Sequence, residues 1–135
     1  GVPPAVITAF WALESDFGAV QGKLPTLRSL VSLAYDCRRS EMFRQETIAA
    51  LKIIDRGDLH PDEMIGSWAG ELGQTQFLPS SYIKYGVDFD GDGHVDLRHS
   101  IPDVLASTAN LLHRERIEMA ARRAVAAGNP RARES

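Results

Sequence analysis

The sequence predicts a mainly α-helical fold, and three observations favour this class. Apolar residues recur at helical spacing in several segments, for example Leu27, Leu30, Val31 and Ala34. Prolines and glycines mark the ends of these segments, where helices start and stop. Ser100 and Asp103 form the serine–acid pair of a capping box at the start of a last helix.

The N-terminal half contains three predicted helices. The first spans residues 3–17, opens at a pair of prolines and ends at Gly18. The second spans residues 26–35. Ser40 is the predicted N-cap of the third, which ends at Gly57. Its predicted core-facing stripe consists of Phe43, Thr47, Ile48, Leu51 and Ile54.

The C-terminal half is less regular. Residues 60–86 are rich in Gly, Ser and Gln, which predicts short helices joined by tight turns. An acidic loop follows at residues 88–100, and the last helix begins at about Ile101. Residues 113–135 are rich in Arg and Ala, which predicts a solvated helix that frays into disorder after Gly128.

Composition narrows the function classes. The chain is 44% hydrophobic and 24% charged, with a net charge of −3 and a pI of about 5.8. This is an ordinary globular composition without the basic surface that nucleic-acid binding requires. No apolar run approaches the length of about 18 residues that indicates a membrane span. The single cysteine, Cys37, precludes an internal disulfide and is predicted to be a small buried residue.

An ionisable residue stands in the most apolar stretch, FWALESDFGAVQGKLP. At about 100° per residue, Phe10, Trp11 and Phe17 fall within about 60° of Glu14, whereas Asp16 lies on the far side. We therefore expect Glu14 to be buried, and burial raises the pKa of a carboxyl group. A glutamic acid that stays protonated near neutral pH is the general acid that glycoside cleavage requires. On this helix alone, a structural acid is the alternative.

The segment GSWAGELGQTQFLPSSY, residues 66–82, is typical of a site for polyhydroxylated ligands. Sugars need directional hydrogen bonds and aromatic faces on which to lie. The predicted donors and acceptors are Ser67, Gln74, Gln76, Ser80 and Ser81. The predicted ring faces are Trp68, Phe77 and Tyr82. The alternative is a glycine-rich structural turn that places Trp68 and Phe77 in the core.

Four segments in order carry a family resemblance: ESDFG at 14–18, GSWAGELGQTQFLPSSY at 66–82, DFDGDGHVDL at 88–97 and PDVLASTAN at 102–110. Together they resemble the catalytic domain of the membrane-bound lytic transglycosylase B family, which cleaves the glycan strands of peptidoglycan. The resemblance implies a lysozyme-like helical domain. It makes residues 1–112 the catalytic core, expected to be truncated at both ends, and leaves 113–135 as an Arg/Ala-rich tail.

The resemblance also assigns roles to individual residues. Glu14 matches the single catalytic acid/base of the family. Ser67 matches a residue that hydrogen-bonds this glutamate and orients it. Gln76 and Asn110 match substrate-contacting positions, and Phe77 belongs to the same substrate-binding stretch as Gln76.

The implied reaction needs one carboxyl group and no cofactor. The acid protonates the oxygen between N-acetylmuramic acid and N-acetylglucosamine, and the resulting carboxylate deprotonates the C6 hydroxyl of the muramoyl residue. That hydroxyl attacks C1 and leaves a 1,6-anhydro end, so intramolecular proximity replaces a second carboxylate. One alternative is a hydrolytic muramidase, with Glu71, Asp62 or Glu63 as the second carboxylate. Another is a catalytically silent module that binds peptidoglycan or Ca²⁺.

The acidic loop follows the spacing of an EF-hand. Positions 1, 3, 5, 6, 7 and 9 of such a loop fall on Asp88, Asp90, Asp92, Gly93, His94 and Asp96. His94 offers its backbone carbonyl. His99 occupies position 12, where a bidentate glutamate is expected, and Asp103 is the predicted substitute. The pattern predicts a short EF-hand-like loop with a structural Ca²⁺ ion, and Na⁺ or Mg²⁺ are the alternatives.

Two departures from the family pattern concern the substrate groove. Leu111 follows Asn110 where an aromatic residue is common, and the Arg/Ala-rich tail replaces groove-forming helices. We therefore expect an incomplete groove. A peptidoglycan substrate implies the periplasm or cell envelope. We further expect a monomer with no nucleic-acid partner and no transmembrane segment in this chain.

Overall fold

The structure is a computed structural model that describes residues 1–36 and 38–126. It confirms the mainly helical class. The helices are α1 Pro4–Ser15, α2 Thr26–Asp36, α3 Ser40–Asp55, α4 Pro79–Tyr85 and α5 Ile101–Ala126, with a 3₁₀ turn at Pro61–Glu63. The predictions for Cys37 and for disorder after Gly128 concern residues outside those described.

The hydrophobic core lies where α2, α3 and α4 pack together. Leu30 of α2, Ile53 of α3 and Tyr82 of α4 are each 0% exposed. Leu72 and Leu97 join them from the connecting loops. Full burial of a side chain of this kind stabilises the fold by about 1.5–3 kcal/mol. This core is the base on which the loops of the polar segment rest.

The core-facing side of α3 differs from the predicted stripe. Ile48 and Leu51 are about half exposed, at 49% and 52%. The buried residues of α3 are Phe43, Glu46, Ala49, Ala50 and Ile53. Glu46 is tolerated in this position because its carboxylate accepts hydrogen bonds from the Ser80 backbone N–H at 2.9 Å and from the Ser80 hydroxyl at 2.5 Å. An apolarity pattern cannot anticipate a core position that is filled by a charged group with its own partner.

A short antiparallel ribbon connects the first third of the chain to the polar segment. Strand β1, Leu24–Pro25, pairs with strand β2, Ile65–Gly66. The backbone then folds back through isolated bridges that join Leu72 to Gly66 and to Phe77. Residues 66–78 are therefore turns and bridges. They join the 3₁₀ turn Pro61–Glu63 to helix α4, which agrees with the predicted short helices and tight turns of residues 60–86. Gly66 suits this close approach, because a Cβ atom there would lie 1.9 Å from a backbone carbonyl oxygen.

Helix α5 runs without a break past residue 112 to Ala126. The predicted division between residues 1–112 and 113–135 therefore falls inside one helix. Beyond it, Ile117 and Met119 are 49% and 55% exposed, as a solvated helix face requires. Within the part of the chain that the structure describes, no helix combines the length and the apolar character needed to cross a bilayer.

Candidate active site

Glu14 lies one residue before the end of α1, and its side chain is exposed rather than buried. The predicted burial is wrong because α1 presents a different side to the protein. Its buried residue is Ser15, whereas Phe10 and Trp11 are only partly covered and Phe17 is 51% exposed. The carboxyl group of Glu14 thus lies at the edge of the packed face and is open to solvent.

The electrostatic environment of Glu14 nevertheless favours its protonated form. Partial desolvation by the surrounding protein raises the pKa of Glu14, and the negative charge of Glu71 raises it further. Both contributions have the sign that a general acid needs. Of the second carboxylates considered from the sequence, Glu71 is the one whose charge acts on Glu14.

Backbone strain is concentrated around the same site. The non-glycine residues with positive φ in the described ranges are Asp16 at 51°, Phe17 at 55° and Gln76 at 53°. Asp16 and Phe17 follow Glu14 and Ser15 directly, and Gln76 lies in the polar segment. Such conformations cost about 1–3 kcal/mol each and cluster at functional sites. The ring of Phe17 packs edge-on against Trp11 at a centroid distance of 5.3 Å, which holds the turn.

Ser67 contacts Glu71 and makes no hydrogen bond to Glu14 among the described residues. Its hydroxyl donates to the Glu71 carboxylate at 3.3 Å and accepts the Glu71 backbone N–H at 3.2 Å. The Ser67 backbone N–H donates to the Glu71 carbonyl at 2.9 Å, so residues 67–71 form one closed turn. Ser67 therefore holds the neighbouring carboxylate in this structure, and its predicted role toward Glu14 stays a prediction.

Most of the predicted sugar-binding side chains in the polar segment bond within the protein. The side-chain amide of Gln76 donates to the carbonyl oxygens of Gln21 at 3.1 Å and Gly73 at 3.0 Å. Tyr82 is fully buried and donates its hydroxyl proton to the Val95 carbonyl at 2.5 Å.

Two of the predicted ring faces, Phe77 and Trp68, differ in their exposure to solvent. Phe77 is 3% exposed and belongs to the core, so its ring is not available to a sugar in this structure. Trp68 is 70% exposed. The indole of Trp68 is thus the one predicted ring face of the segment that lies open in the described residues.

Trp68 borders a cavity of about 480 Å³ that the sequence did not indicate. The other lining residues come from β1 and α2: Leu24, Pro25, Arg28, Ser29, Ser32 and Leu33. Because Trp68 directly follows Ser67, this cavity lies beside the turn that carries Glu71. Its polar residues could be found only from the fold, since the β1–β2 ribbon brings α2 to the polar segment.

Asn110 has partners that differ from those of Ser67 and Trp68. Its amide donates to the Tyr85 carbonyl at 3.1 Å, and it lines a separate cavity with Lys84, Arg114 and Glu118. No residue of α1 or of the turn 67–71 lines that cavity. The charge of Glu71 thus acts on Glu14 and Ser67 bonds to Glu71, whereas the hydrogen bond of Asn110 in the described residues goes to Tyr85. The substrate contact of Asn110 stays a prediction.

The acidic loop gathers three carboxylates. Oxygen atoms of Asp88, Asp90 and Asp92 lie within 4.8 Å of one another, as ligands of one metal ion do. The Ser100 hydroxyl donates to Asp90 at 2.9 Å and lowers the pKa of that carboxyl, which keeps it ionised. Hard carboxylate oxygens in a glycine-containing loop suit Ca²⁺. These three residues fit a structural cation.

The other predicted metal ligands have different partners. Asp96 accepts the backbone N–H groups of Arg98 and His99 at 3.0 Å. The ring Nδ1 of His94 lies 3.6 Å from an oxygen of Asp58. Asp103 is fully buried and accepts backbone N–H groups with both oxygens. The side chains of Asp96 and Asp103 do not join the described carboxylate group. The backbone-carbonyl role of His94 and the EF-hand character of the loop stay predictions.

Fold and sequence together define the class of protein. The sequence profile of the transglycosylase SLT domain family matches residues 1–133. The chain belongs to this family, which confirms the resemblance found in the four sequence segments.

Individual relatives are similar over most of this chain. Membrane-bound lytic murein transglycosylase B of Escherichia coli strain K12 is 40% identical over 111 residues, which cover 82% of this chain and 30% of the relative. SltB3 of Pseudomonas aeruginosa, solved in complex with NAG-anhNAM-pentapeptide, is 50% identical with a TM-score of 0.75. The match includes 77% of this chain and 28% of the SltB3 chain. Escherichia coli lytic transglycosylase Slt35, solved in complex with calcium, is 39% identical with a TM-score of 0.77. That match includes 81% of this chain and 35% of the Slt35 chain. The chain thus spans about a third of the length of these proteins.

Proposed function

We propose that this chain is a lytic transglycosylase domain that cleaves the β-1,4 bond between N-acetylmuramic acid and N-acetylglucosamine in peptidoglycan. The observation that carries the proposal is the position of Glu14, an accessible carboxyl at a strained helix end whose pKa is raised. Membership of the transglycosylase SLT family supports the reaction class. The peptidoglycan fragment bound to SltB3 supports the substrate class.

In this proposal Glu14 is the single acid/base. Its proton goes to the bridging oxygen as the bond from that oxygen to C1 of the muramoyl residue breaks. The Glu14 carboxylate then takes the proton of the C6 hydroxyl, and this oxygen forms the new bond to C1. The products are a free 4-hydroxyl and a 1,6-anhydromuramoyl end, with no water consumed. Glu14 returns to its protonated state, which its surroundings favour.

The neighbouring residues supply binding rather than proton transfer. The open indole of Trp68 offers a face on which a sugar ring can lie. Ser67, Gln76 and Asn110 are proposed to contact the glycan through their polar groups. Arg28, in the cavity beside Trp68, adds a cation that complements the carboxylates of a peptide stem.

A structural Ca²⁺ ion is proposed for Asp88, Asp90 and Asp92. The calcium complex of Slt35 supports this assignment. The ion would neutralise mutual repulsion among the three carboxylates and stabilise the loop, and it takes no part in the reaction.

Glu71 favours one competing function, a hydrolytic muramidase. A hydrolase needs a second carboxylate beside the acid, and the charge of Glu71 acts on Glu14. Ser67, however, holds the Glu71 carboxylate within its own turn. If Glu71 were a nucleophile or base, Glu71→Gln would abolish turnover. In the transglycosylase mechanism Glu71→Gln keeps activity and changes its pH dependence.

Mass spectrometry of purified peptidoglycan after incubation with the chain tests the proposal. We expect products lighter by one water than hydrolytic muropeptides. Glu14→Gln should lower turnover at least about a hundredfold, since general acid catalysis contributes roughly 10²–10⁴. Glu41→Gln, at an exposed position on α3, is the matched control and should match the unaltered chain.

The remaining outcomes contradict the proposal in distinct ways. Products with reducing muramoyl ends would establish a hydrolase. Glycan binding without cleavage, equal in the Glu14→Gln variant, would establish a silent binding module. Since the substrate lies in the bacterial envelope, the chain is proposed to act there. The name of the membrane-bound Escherichia coli relative agrees with that location.

A further inference from the structure

Helix α1, which carries Glu14, has little apolar attachment to the rest of the protein. Ser15 is its buried residue, and Leu13, next to Glu14, is 86% exposed. Apolar contact alone therefore fixes its orientation weakly, since helices are normally held by a buried apolar stripe. Something else must define where the Glu14 carboxyl points.

Gln74 supplies polar contacts to two successive turns of α1. The Trp11 indole N–H donates to the side-chain oxygen of Gln74 at 2.9 Å. The Ser15 hydroxyl donates to the backbone carbonyl of Gln74. Trp11 and Ser15 are four residues apart, so they lie one above the other on the same helix face.

Gln74 is itself anchored from the opposite side. Its backbone N–H donates to the Leu97 carbonyl at 2.8 Å, and its side-chain amide donates to the Arg98 carbonyl at 2.9 Å. The residue is 6% exposed, so these bonds are shielded from water. Gln74 thus bridges α1 and the C-terminal end of the acidic loop.

The turn after α1 is built around the same side chain. The Gly18 backbone N–H donates to the Ser15 hydroxyl at 2.8 Å. A Cβ atom on Gly18 would lie 2.3 Å from the side-chain oxygen of Gln74. Gly18 therefore packs directly against Gln74, next to the strained backbone of Asp16 and Phe17.

We propose that Gln74 is a positioning residue that holds α1 so that the carboxyl group of Glu14 faces the scissile bond. Glu14 adjoins Ser15 in the same helix, so fixing Trp11 and Ser15 fixes the direction of Glu14. The proposal rests on the proposed function of Glu14. It assigns to Gln74 a role distinct from the sugar contact expected for this amide from its sequence context.

Gln74→Met tests the proposal, because Met keeps the length and apolar volume of the side chain but removes its hydrogen bonds. We expect kcat on peptidoglycan to fall about ten- to hundredfold, as misplacement of a catalytic group by about 1 Å does. KM should change less than about twofold, since Gln74 is buried and its polar atoms bond within the protein. Gln45→Met on the exposed surface of α3 is the matched control and should leave both constants unchanged. A folded Gln74→Met variant with unaltered kcat would overturn the proposal.

An NMR readout judges the proposal independently of activity. In Gln74→Met the Trp11 indole N–H resonance should move upfield and exchange faster with solvent. The titration midpoint of Glu14 should fall, because a loosened α1 moves the carboxyl away from the groups that desolvate it and from Glu71. An unchanged indole resonance and an unchanged Glu14 titration would refute the positioning role even if the unaltered chain cleaved no peptidoglycan. A lack of peptidoglycan cleavage by the unaltered chain would by itself contradict only the proposed function.

A second variant covers the case in which Gln74→Met does not fold. Trp11→Phe keeps an aromatic ring beside Phe17 and removes the N–H that reaches Gln74, together with part of the ring volume. It should reduce kcat in the same direction, with a smaller loss, and lower the Glu14 midpoint. A folded Trp11→Phe variant with the kcat and the Glu14 midpoint of the unaltered chain would refute the positioning role.

Discussion

Replacement of Asp103 by Asn distinguishes two roles for this residue. The sequence predicts a metal ligand, whereas the structure shows a clamp on the loop backbone. One oxygen accepts the N–H groups of Phe89 at 2.8 Å and Asp90 at 3.4 Å, and the other accepts the N–H of Asp96 at 3.0 Å. The side chain is fully buried, so water cannot replace these bonds.

The magnitude follows from the bonds that Asn can keep. Its amide oxygen can still accept from Phe89 and Asp90, but its NH₂ group then opposes the N–H of Asp96. A hydrogen bond to a charged acceptor is worth about 1.5–3 kcal/mol, and an unpaired buried donor costs about 1–3 kcal/mol. We expect Asp103→Asn to lower the free energy of unfolding by roughly 2–3 kcal/mol. For a domain of this size, that is a fall in Tm of roughly 6–12 °C.

Thermal unfolding with a chelator and with Ca²⁺ is the assay. A backbone clamp works without metal, so Asp103→Asn should be destabilising by the same amount in both. Asp92→Ala is the counterpart, because Asp92 is exposed and belongs to the carboxylate group, and Ala offers no oxygen ligand to Ca²⁺. It should change stability by less than about 0.5 kcal/mol in chelator and should lose the Ca²⁺-dependent stabilisation. If Asp103→Asn were harmless in chelator and damaging only in Ca²⁺, the clamp would be wrong and the ligand role right.

Three further predictions concern the site and its support. Glu71→Gln removes a negative charge that raises the pKa of Glu14. In the pH–rate profile, the fall in activity with rising pH should therefore occur at lower pH than in the unaltered chain. If it occurs at the same pH, Glu71 does not act on the acid. Trp68→Ala should raise KM about tenfold with little change in kcat, checked by steady-state cleavage of soluble glycan strands, because removing a stacking face weakens binding by roughly 1–2 kcal/mol. Glu46→Gln should lower unfolding stability by about 1–2 kcal/mol in urea titrations, since its bonds to the backbone N–H and the hydroxyl of Ser80 change from charge-assisted to neutral ones, whereas Glu41→Gln on the exposed side of α3 should be neutral.

The pKa of Glu14 also links stability to pH. The folded-state pKa lies above the unfolded value, so the folded state binds more protons between the two values. The resulting contribution is fully present below the unfolded pKa and is lost as pH rises through the folded pKa. At neutral pH the variant Glu14→Gln should therefore be at least as stable as the unaltered chain, and a clear fall in its Tm would contradict this sign.

Helical segments could be predicted because each carries its own signal. Periodicity and the flanking Pro and Gly residues located α1, α2, α3 and α5 to within a few residues. Each strand of the β1–β2 ribbon has only two residues, which is too short for an alternation of apolar and polar residues to indicate a strand. The orientation of α3 was also out of reach, because Glu46 replaces an apolar residue in the core and its partner Ser80 is distant in sequence.

The site was predicted in its residue types more than in its geometry. Glu14 could be singled out because an acid among aromatic residues is unusual, but its burial depended on which side of α1 packs inward. That side is set by Gln74, which the sequence does not place near Trp11. Phe77 and Trp68 belong to the same segment, and only the bridges of its backbone decide that the first is buried and the second exposed.

The β1–β2 ribbon also sets the order in which this site forms during folding. It joins residues 24–25 to 65–66, and the whole of α2 and α3 lies between the two strands. Closing a chain loop of this length costs entropy that only established contacts repay. We therefore expect α2 and α3 to dock first as a local hairpin and the ribbon to zip afterwards. The turn that carries Glu71 would then reach α1 late, so mutations at the site should chiefly accelerate unfolding and leave the folding rate nearly unchanged.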